Sequence, residues 1–399
     1  MIESVLLAFF IILPKIGMLD FSLIALAVLL GVSFFVENES TYEHRYLNEI
    51  FVIMFGLMVV IFGLSVTSLV INGGDNYDEQ FLFKPFRMIL LLFSLYYIFN
   101  KRNINISTVL NAIIFAALLN ALVIYIQYVG SFIGGAGDFL QNPNFNESVL
   151  TPYRKAGLMS GFPVAGILSF CGSMISLHFF VNERKRWHLL LYVVIGLTCF
   201  LTARTALLLF ILGTFFYLLQ ISFKKGRFDI LVLFTIVLSI SFTYAFSSDN
   251  DVIIKTRDKM FANVINYISS GDANDYSTND LLTNHYVFPS DFSTFMIGNS
   301  IPPENNIVNT DVSFFRITWN NGFFSMLLYV FSYLFMWFIS VSSREKSDNN
   351  KFIIFLLFAG VFISNFKGFY FFSRVIGDLI FIIFISCIVN EKKSIGNHG

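Results

Sequence analysis

Long apolar runs broken by short polar stretches dominate the chain. They predict helices at about 3–14, 20–36, 49–71, 84–100, 108–129, 158–181, 187–201, 205–222, 229–246, 322–341, 351–366 and 370–390. Many of these approach the roughly 20 residues needed to cross a bilayer. Alternation of period two is weak, which argues against a transmembrane barrel. Backbone groups in lipid must be satisfied within their own segment, so the spans are helices. The expected fold is all-α, a polytopic integral membrane protein of about twelve transmembrane helices. The first helix is the least regular, because Pro14 and Gly17 interrupt its end.

Composition agrees with that pattern. The 399 residues are 56% hydrophobic and 13% charged, and mean hydropathy is +0.71. Soluble domains carry about twice that share of charge. The formal net charge is zero, so no nucleic-acid partner is expected. Cys171, Cys199 and Cys387 all fall in apolar runs, so no disulfide framework is expected. Met1-Ile2-Glu3 lacks a basic leader, so the N-terminus reads as a first span and not as a removable signal.

Short basic stretches set the expected orientation. Lys101-Arg102, Arg184–Arg186, Lys224–Arg227, Arg344–Lys351 and Lys392-Lys393 are each separated from the next by an even number of spans, so all fit one cytoplasmic side. The same count places four segments outside: the 130–157 loop, a turn at Thr202-Ala203-Arg204, the long 248–320 loop and the Asn365–Arg374 turn. Three regions follow: N-terminal helices over 1–247, a large outer loop over 248–320, and C-terminal helices with a short tail over 321–399.

Within this frame Arg204 stands out. It is the only charged residue between His188 and Lys224. The flanking runs are too long for one span, so two helices joined at 202–204 are expected, with Thr202 capping the second. A lone arginine held there is by default a functional candidate. Arg154, Arg316, Lys367 and Arg374 are expected on the same outer face. Together they would suit a phosphate or diphosphate, because the guanidinium fork matches such oxygens bidentately. Interfacial arginines also serve as lipid-headgroup anchors. Asp311 is the candidate carboxylate, either activating or orienting an acceptor hydroxyl, with Arg316 keeping it ionised. Asp249-Asn250-Asp251 has the spacing of some metal-binding pairs but sits in an Asp-rich loop. His285 is a single histidine in the outer loop, so no metal site is expected.

Three local motifs resemble the O-antigen polymerase and O-antigen ligase superfamily. The first is Arg154-Lys155-Ala156-Gly157, followed by Gly161-Phe162-Pro163 and Gly166. The second is Thr202-Ala203-Arg204-Thr205-Ala206. The third is Gly322-Phe323-Phe324-Ser325, preceded by Asp311 where ligases carry a histidine, with Ile297-Gly298-Asn299-Ser300 upstream. Two departures stand. Asp311 is nearer the polymerase pattern, and eleven residues separate Arg154 from Gly166, one more than in some polymerases.

The resemblance implies a GT-C-like fold in the bacterial inner membrane, with its active site facing the periplasm. It implies a repeat-unit polymerase acting on undecaprenyl-diphosphate-linked oligosaccharide, metal-independent and without a cofactor. Arg154 and Arg204 would hold the diphosphate, assisted by Arg316, Lys367, Arg374 and Tyr153, and Asp311 would serve the acceptor. Membrane lipids, a chain-length regulator and a flippase are the implied partners. An O-antigen ligase and a lipid-linked oligosaccharide flippase are the alternatives. A flippase calls for charge inside the spans, whereas here the spans read as nearly charge-free.

Overall fold

A computed structural model describes residues 2–16, 19–35, 45–72, 77–102, 104–131, 133, 140, 142, 154–226, 228, 231–232, 234–236, 239, 243, 246–249, 254–255, 257–258, 261, 266, 279–302, 305–306, 308–342 and 348–396. The protein is all-α and a polytopic membrane protein. Among the described residues, six helices or helix portions are long and apolar enough to span: Glu49–Asn72, Gln80–Arg102, Ile106–Gly130, Phe162–Glu183, Arg204–Lys225 and Ser313–Ser342.

In chain order the helices are α1 (Ile2–Ile12), α2 (Phe21–Phe34), α3 (Arg45–Asn72), α4 (Gln80–Arg102), α5 (Ile106–Gly130), α6 (Phe162–Glu183), α7 (Arg186–Thr202), α8 (Arg204–Lys225), α9 (Phe292–Ile297), α10 (Ser313–Ser342), α11 (Asp348–Ser364) and α12 (Ile376–Gly396). A two-residue hairpin, Lys15–Ile16 against Leu19–Asp20, links α1 to α2. The expected helix at 229–246 falls largely outside the described residues.

The chain forms two compact units. The first comprises Met1–Leu7, Leu23–Asn111 and Tyr276–Gly399, and the second comprises Ala8–Ser22 and Ala112–Asp275. In the second unit α6 is the central helix, with most of its length buried. In the first, α12 is buried along nearly its whole apolar stretch and packs with α4 and α10.

The expected span at 322–341 starts earlier than its hydropathy suggests. Helix α10 begins at Ser313 and is broken at Gly322, whose φ of 83° and ψ of 168° are not helical. The polar stretch Asn320-Asn321 hides the first part from an apolar count. A break in a span frees backbone carbonyls that lipid cannot solvate. Here the segment after α9 satisfies them. Asn299 N–H donates to Trp319 O at 2.8 Å and Ser300 N–H donates to Asn320 O at 3.0 Å. Asn320 Nδ2 returns a bond to Ile301 O at 3.1 Å. From α3, Ser68 Oγ reaches Asn320 O at 2.9 Å, and Asn321 Nδ2 reaches Ser65 Oγ at 2.7 Å.

Two glycines allow this embrace. Gly298, with φ 83°, lies where a Cβ would sit 2.1 Å from Asn320 O, and a Cβ on Gly322 would sit 2.1 Å from Met296 O. The two stretches singled out around Ile297–Ser300 and Gly322–Ser325 are therefore one packed backbone junction. Replacing either glycine by alanine adds a clash to a backbone region that only glycine readily adopts. Gly298→Ala and Gly322→Ala should each lose about 2 kcal/mol or more of stability. A thermal unfolding curve of the purified protein in detergent checks this, and Gly56→Ala, with open space around it, is the neutral control.

Candidate functional site

In the second unit the first two motifs meet. Helix α7 ends at Thr202, Ala203 is extended (φ −139°, ψ 143°), and Arg204 is the first residue of α8. The chain before α6 comes back onto this turn, where Lys155 N–H donates to Leu201 O at 2.9 Å. Arg154, the neighbour of Lys155, is thereby held beside the end of α7, where Leu201 stands three residues before Arg204. The Arg154 guanidinium carbon is 5.7 Å from the Phe162 ring centre. Gly166 supports the junction, because α6 approaches so closely that a Cβ there would meet Ala206 Cβ at 2.4 Å. Asn120 and Gln127 of α5 hold the 157–158 turn. Asn120 Oδ1 accepts from Leu158 N–H at 2.8 Å, and Gln127 Oε1 accepts from Gly157 N–H at 3.0 Å.

One detail differs from expectation. Thr202 does not cap α8, because Ala203 holds the cap position with no side-chain bond. The Thr202 hydroxyl is buried and turns back to Cys199 O at 3.2 Å. A hydroxyl without access to water finds its own helix carbonyl first.

In the first unit Asp311 lies just before α10. Its carboxylate is exposed, and its backbone N–H donates to His285 Nδ1 at 3.3 Å. The other ring nitrogen, Nε2, is 3.4 Å from Asp280 Oδ2. Since Nδ1 accepts, the neutral ring carries its proton on Nε2, facing Asp280. His285 is thus not the unpartnered loop histidine its isolation in the sequence suggests. Asp280 is held below the usual carboxylate range, first by the Asn284 side-chain amide and then, after an opposing desolvation effect, by His285. Tyr370 is buried nearby. Burial, and secondarily the Asp311 carboxylate, push its hydroxyl above the usual tyrosine range. The Asn365 side chain ties the α11–α12 turn to the start of α10. Its Oδ1 accepts from Tyr370 N–H at 3.0 Å, Phe371 N–H at 2.9 Å and the Ser313 hydroxyl.

Arg316 does not serve Asp311. It lies inside α10, and its Nη2 donates to Asp78 Oδ2 at 3.0 Å. Asp78 is almost fully buried. Its Oδ1 caps α4 through Gln80 N–H at 3.0 Å, and its own N–H donates to Ser300 O at 2.8 Å. Asp78 is therefore fixed from two sides before it meets the guanidinium. Lys367 is exposed in the α11–α12 turn, and Arg374 is half-buried just before α12. Tyr153 and Asn250-Asp251 lie outside the described residues, and Asp249 is exposed.

The spans are not charge-free. Lys84 and Arg87 lie inside α4, and Asp378 lies inside α12. Arg87 pairs with Asp378 through both guanidinium nitrogens, with Nη2–Oδ2 at 2.8 Å. Asp378 is fully buried, and its Oδ2 also accepts from Val375 N–H at 3.2 Å. The Lys84 ammonium sits 3.6 Å from the centre of the Phe369 ring, and the Arg316 guanidinium carbon sits 5.4 Å from it. Lys84 and Arg87, three residues apart, share a helix face. That spacing, and the single acid in an otherwise apolar last span, were the available sequence signals. Placing the start of α4 at Lys84 put both cations at its edge, and the helix in fact begins at Gln80.

No known family model and no curated protein sequence matches the chain. The sites therefore stand on their own chemistry.

Removing one partner of a buried bidentate pair strands the other charge. Asp378→Ala should cost about 3 kcal/mol or more of stability, while the double variant Arg87→Met/Asp378→Leu should recover most of it. Chemical unfolding of the three proteins in the same detergent measures both. Equal losses in the single and double variants would show that the charge pair is not what matters.

Proposed function

We propose that the chain is a repeat-unit polymerase of a surface polysaccharide. In this reading it is a GT-C-like glycosyltransferase of about twelve transmembrane helices in the bacterial inner membrane, with its chemistry on the periplasmic side. The observation that carries the reading is the junction of Arg154–Lys155 with the α7–α8 turn. It brings the chain at Arg154–Lys155 onto the turn that carries Arg204, which supports a reading in which both arginines meet a lipid-anchored diphosphate.

In the reaction, an acceptor hydroxyl attacks the anomeric carbon of the donor glycan. The new glycosidic C–O bond forms as the bond to the undecaprenyl diphosphate breaks, and displacement inverts the anomeric centre. The hydroxyl proton passes to a general base, the role that the sequence resemblance implies for Asp311. The leaving diphosphate gains negative charge, which Arg154 and Arg204 offset. Preorganised donors in a water-poor site favour the transition state by several kcal/mol. Arg316 belongs to the first unit, where its Nη2 engages Asp78, and it is not counted with the Arg154–Arg204 junction. Lys367 and Arg374 remain candidate headgroup or acceptor contacts.

A second reading, a transporter of the same lipid-linked oligosaccharide, draws on a different observation. Lys84, Arg87, Arg316 and Asp378 lie within the helices of the first unit. Ionisable residues inside spans often line a substrate route. The buried pairing of Arg87 with Asp378 weighs the other way, since each of these charges is already met by the other.

Complementation of a strain deleted for this gene separates the readings. Arg204→Ala should abolish long chains while one-repeat product persists, with the protein inserted at normal level. Arg204→Lys should also fail, because lysine keeps the charge but not the fork. Asp311→Asn should lower polymer yield roughly 100-fold or more. An undiminished ladder of chain lengths from Arg204→Ala would sink the polymerase assignment, and loss of even the one-repeat product would favour the transporter.

A further inference from the structure

The first unit contains a set of hydrogen-bond donors that find no acceptor among the described residues. Around Phe369 lie Lys84, Arg316 and Tyr329, together with Asp78. The Lys84 ammonium makes no hydrogen bond among the described residues, its contact being the face of Phe369 at 3.6 Å. Arg316 spends Nη2 on Asp78, but its Nε is buried and finds no acceptor among the described residues. Tyr329 is wholly buried, and its hydroxyl is likewise without a partner there. The Tyr329 ring centre is 6.4 Å from that of Phe369 and 5.2 Å from that of Phe372.

A buried donor left unmade is costly, and a surplus charge in such surroundings more so. Two buried donors without an acceptor among the described residues, Arg316 Nε and the Tyr329 hydroxyl, lie with a half-buried ammonium around one ring, an arrangement that an added acceptor would complete. All three donate and none has to accept, so the missing group is an acceptor. The local charge is two cations against one carboxylate, an excess of one positive charge. Asp78 cannot swing to Lys84, because its two oxygens are committed to Gln80 N–H and Arg316.

We propose that Lys84, Arg316 and Tyr329 form a binding site for a singly charged phosphate-type oxyanion, with Asp78 as the fixed counter-charge that orients Arg316. A phosphodiester carries a single negative charge, matching the excess, and its oxygens can take the ammonium, the Nε–H and the phenol together. Arg316 Nη2 stays on Asp78 while Nε turns to the ligand. Phe369 supplies the apolar floor and holds both cations by their attraction to its ring. The chemistry fits the headgroup of a membrane phospholipid as well as a free phosphate. The site lies wholly within the first unit and is independent of the Arg154–Arg204 junction, so it stands whichever reading of the function holds.

The test titrates two probes against the full-length protein in a neutral, phospholipid-free detergent, following the unfolding temperature at constant ionic strength. One probe is inorganic phosphate, and the other is short-chain phosphatidylglycerol. A saturable rise is expected with at least one of them. A rise with both assigns a general oxyanion site, and a rise with the lipid alone assigns a headgroup site. Lys84→Met keeps the side-chain length and should weaken the apparent affinity roughly tenfold. Tyr329→Phe removes only the hydroxyl and should weaken it by a smaller factor, which keeps the test open if the lysine variant does not fold. Absence of a saturable rise with either probe, or equal affinities in the wild type and both variants, overturns the site.

Discussion

A backbone polar group in lipid has no water to turn to, and the first unit is organised around one place where that rule is strained. Helix α10 breaks at Gly322, and Trp319 and Asn320 present carbonyls that helix continuation would otherwise occupy. The 298–301 stretch supplies the donors, which requires two backbones to approach at Gly298 and Gly322 closer than any Cβ allows. Ser65, Ser68 and Asn72 of α3 complete the junction, the last through Asn72 Nδ2 to Gly298 O at 2.9 Å. A polar belt inside an apolar bundle is tolerable here because its backbone members find partners.

That junction also places charge. Ser300, held by the broken helix, accepts the N–H of Asp78. Asp78 caps α4 and receives Arg316 from α10, so three elements converge on one residue. One turn further along α4, Lys84 meets Phe369, and Arg87 meets Asp378. Ion pairs in low dielectric are neutral in stability at best and specific in register, since one fit satisfies all the partners. In this unit they set the relative position of α4, α10 and α12, and they leave the Lys84 and Arg316 donors unsatisfied around Phe369.

The second unit is simpler. Its polar end is made by main chain and by the amides of Asn120, Gln127 and Asn142, and its functional candidates are brought together by a backbone bond. Close helix approach at Gly166 makes that bond possible. The contrast matters for chemistry: Arg154 and Arg204 are half-buried at a helix junction, whereas Arg316 gives one of its nitrogens to a buried carboxylate.

Much of the fold was legible in the chain. Lipid demands apolar helices, so composition and run length alone dictate an all-α membrane protein, and the turn at Ala203 followed from a lone arginine between two apolar runs. The two glycine-containing stretches were visible as motifs, though not as partners. Ion pairing was invisible. Arg87 and Asp378 are 291 positions apart, and Arg316 and Asp78 are 238 apart. A charge carries no mark of which distant carboxylate will meet it, so the expected service of Arg316 to Asp311 gave way to Asp78. Local pattern decides which segments become helices, because hydrophobic burial and backbone bonding act within a segment. Only the tertiary structure decided which polar groups share a site, because that depends on packing between segments far apart in sequence.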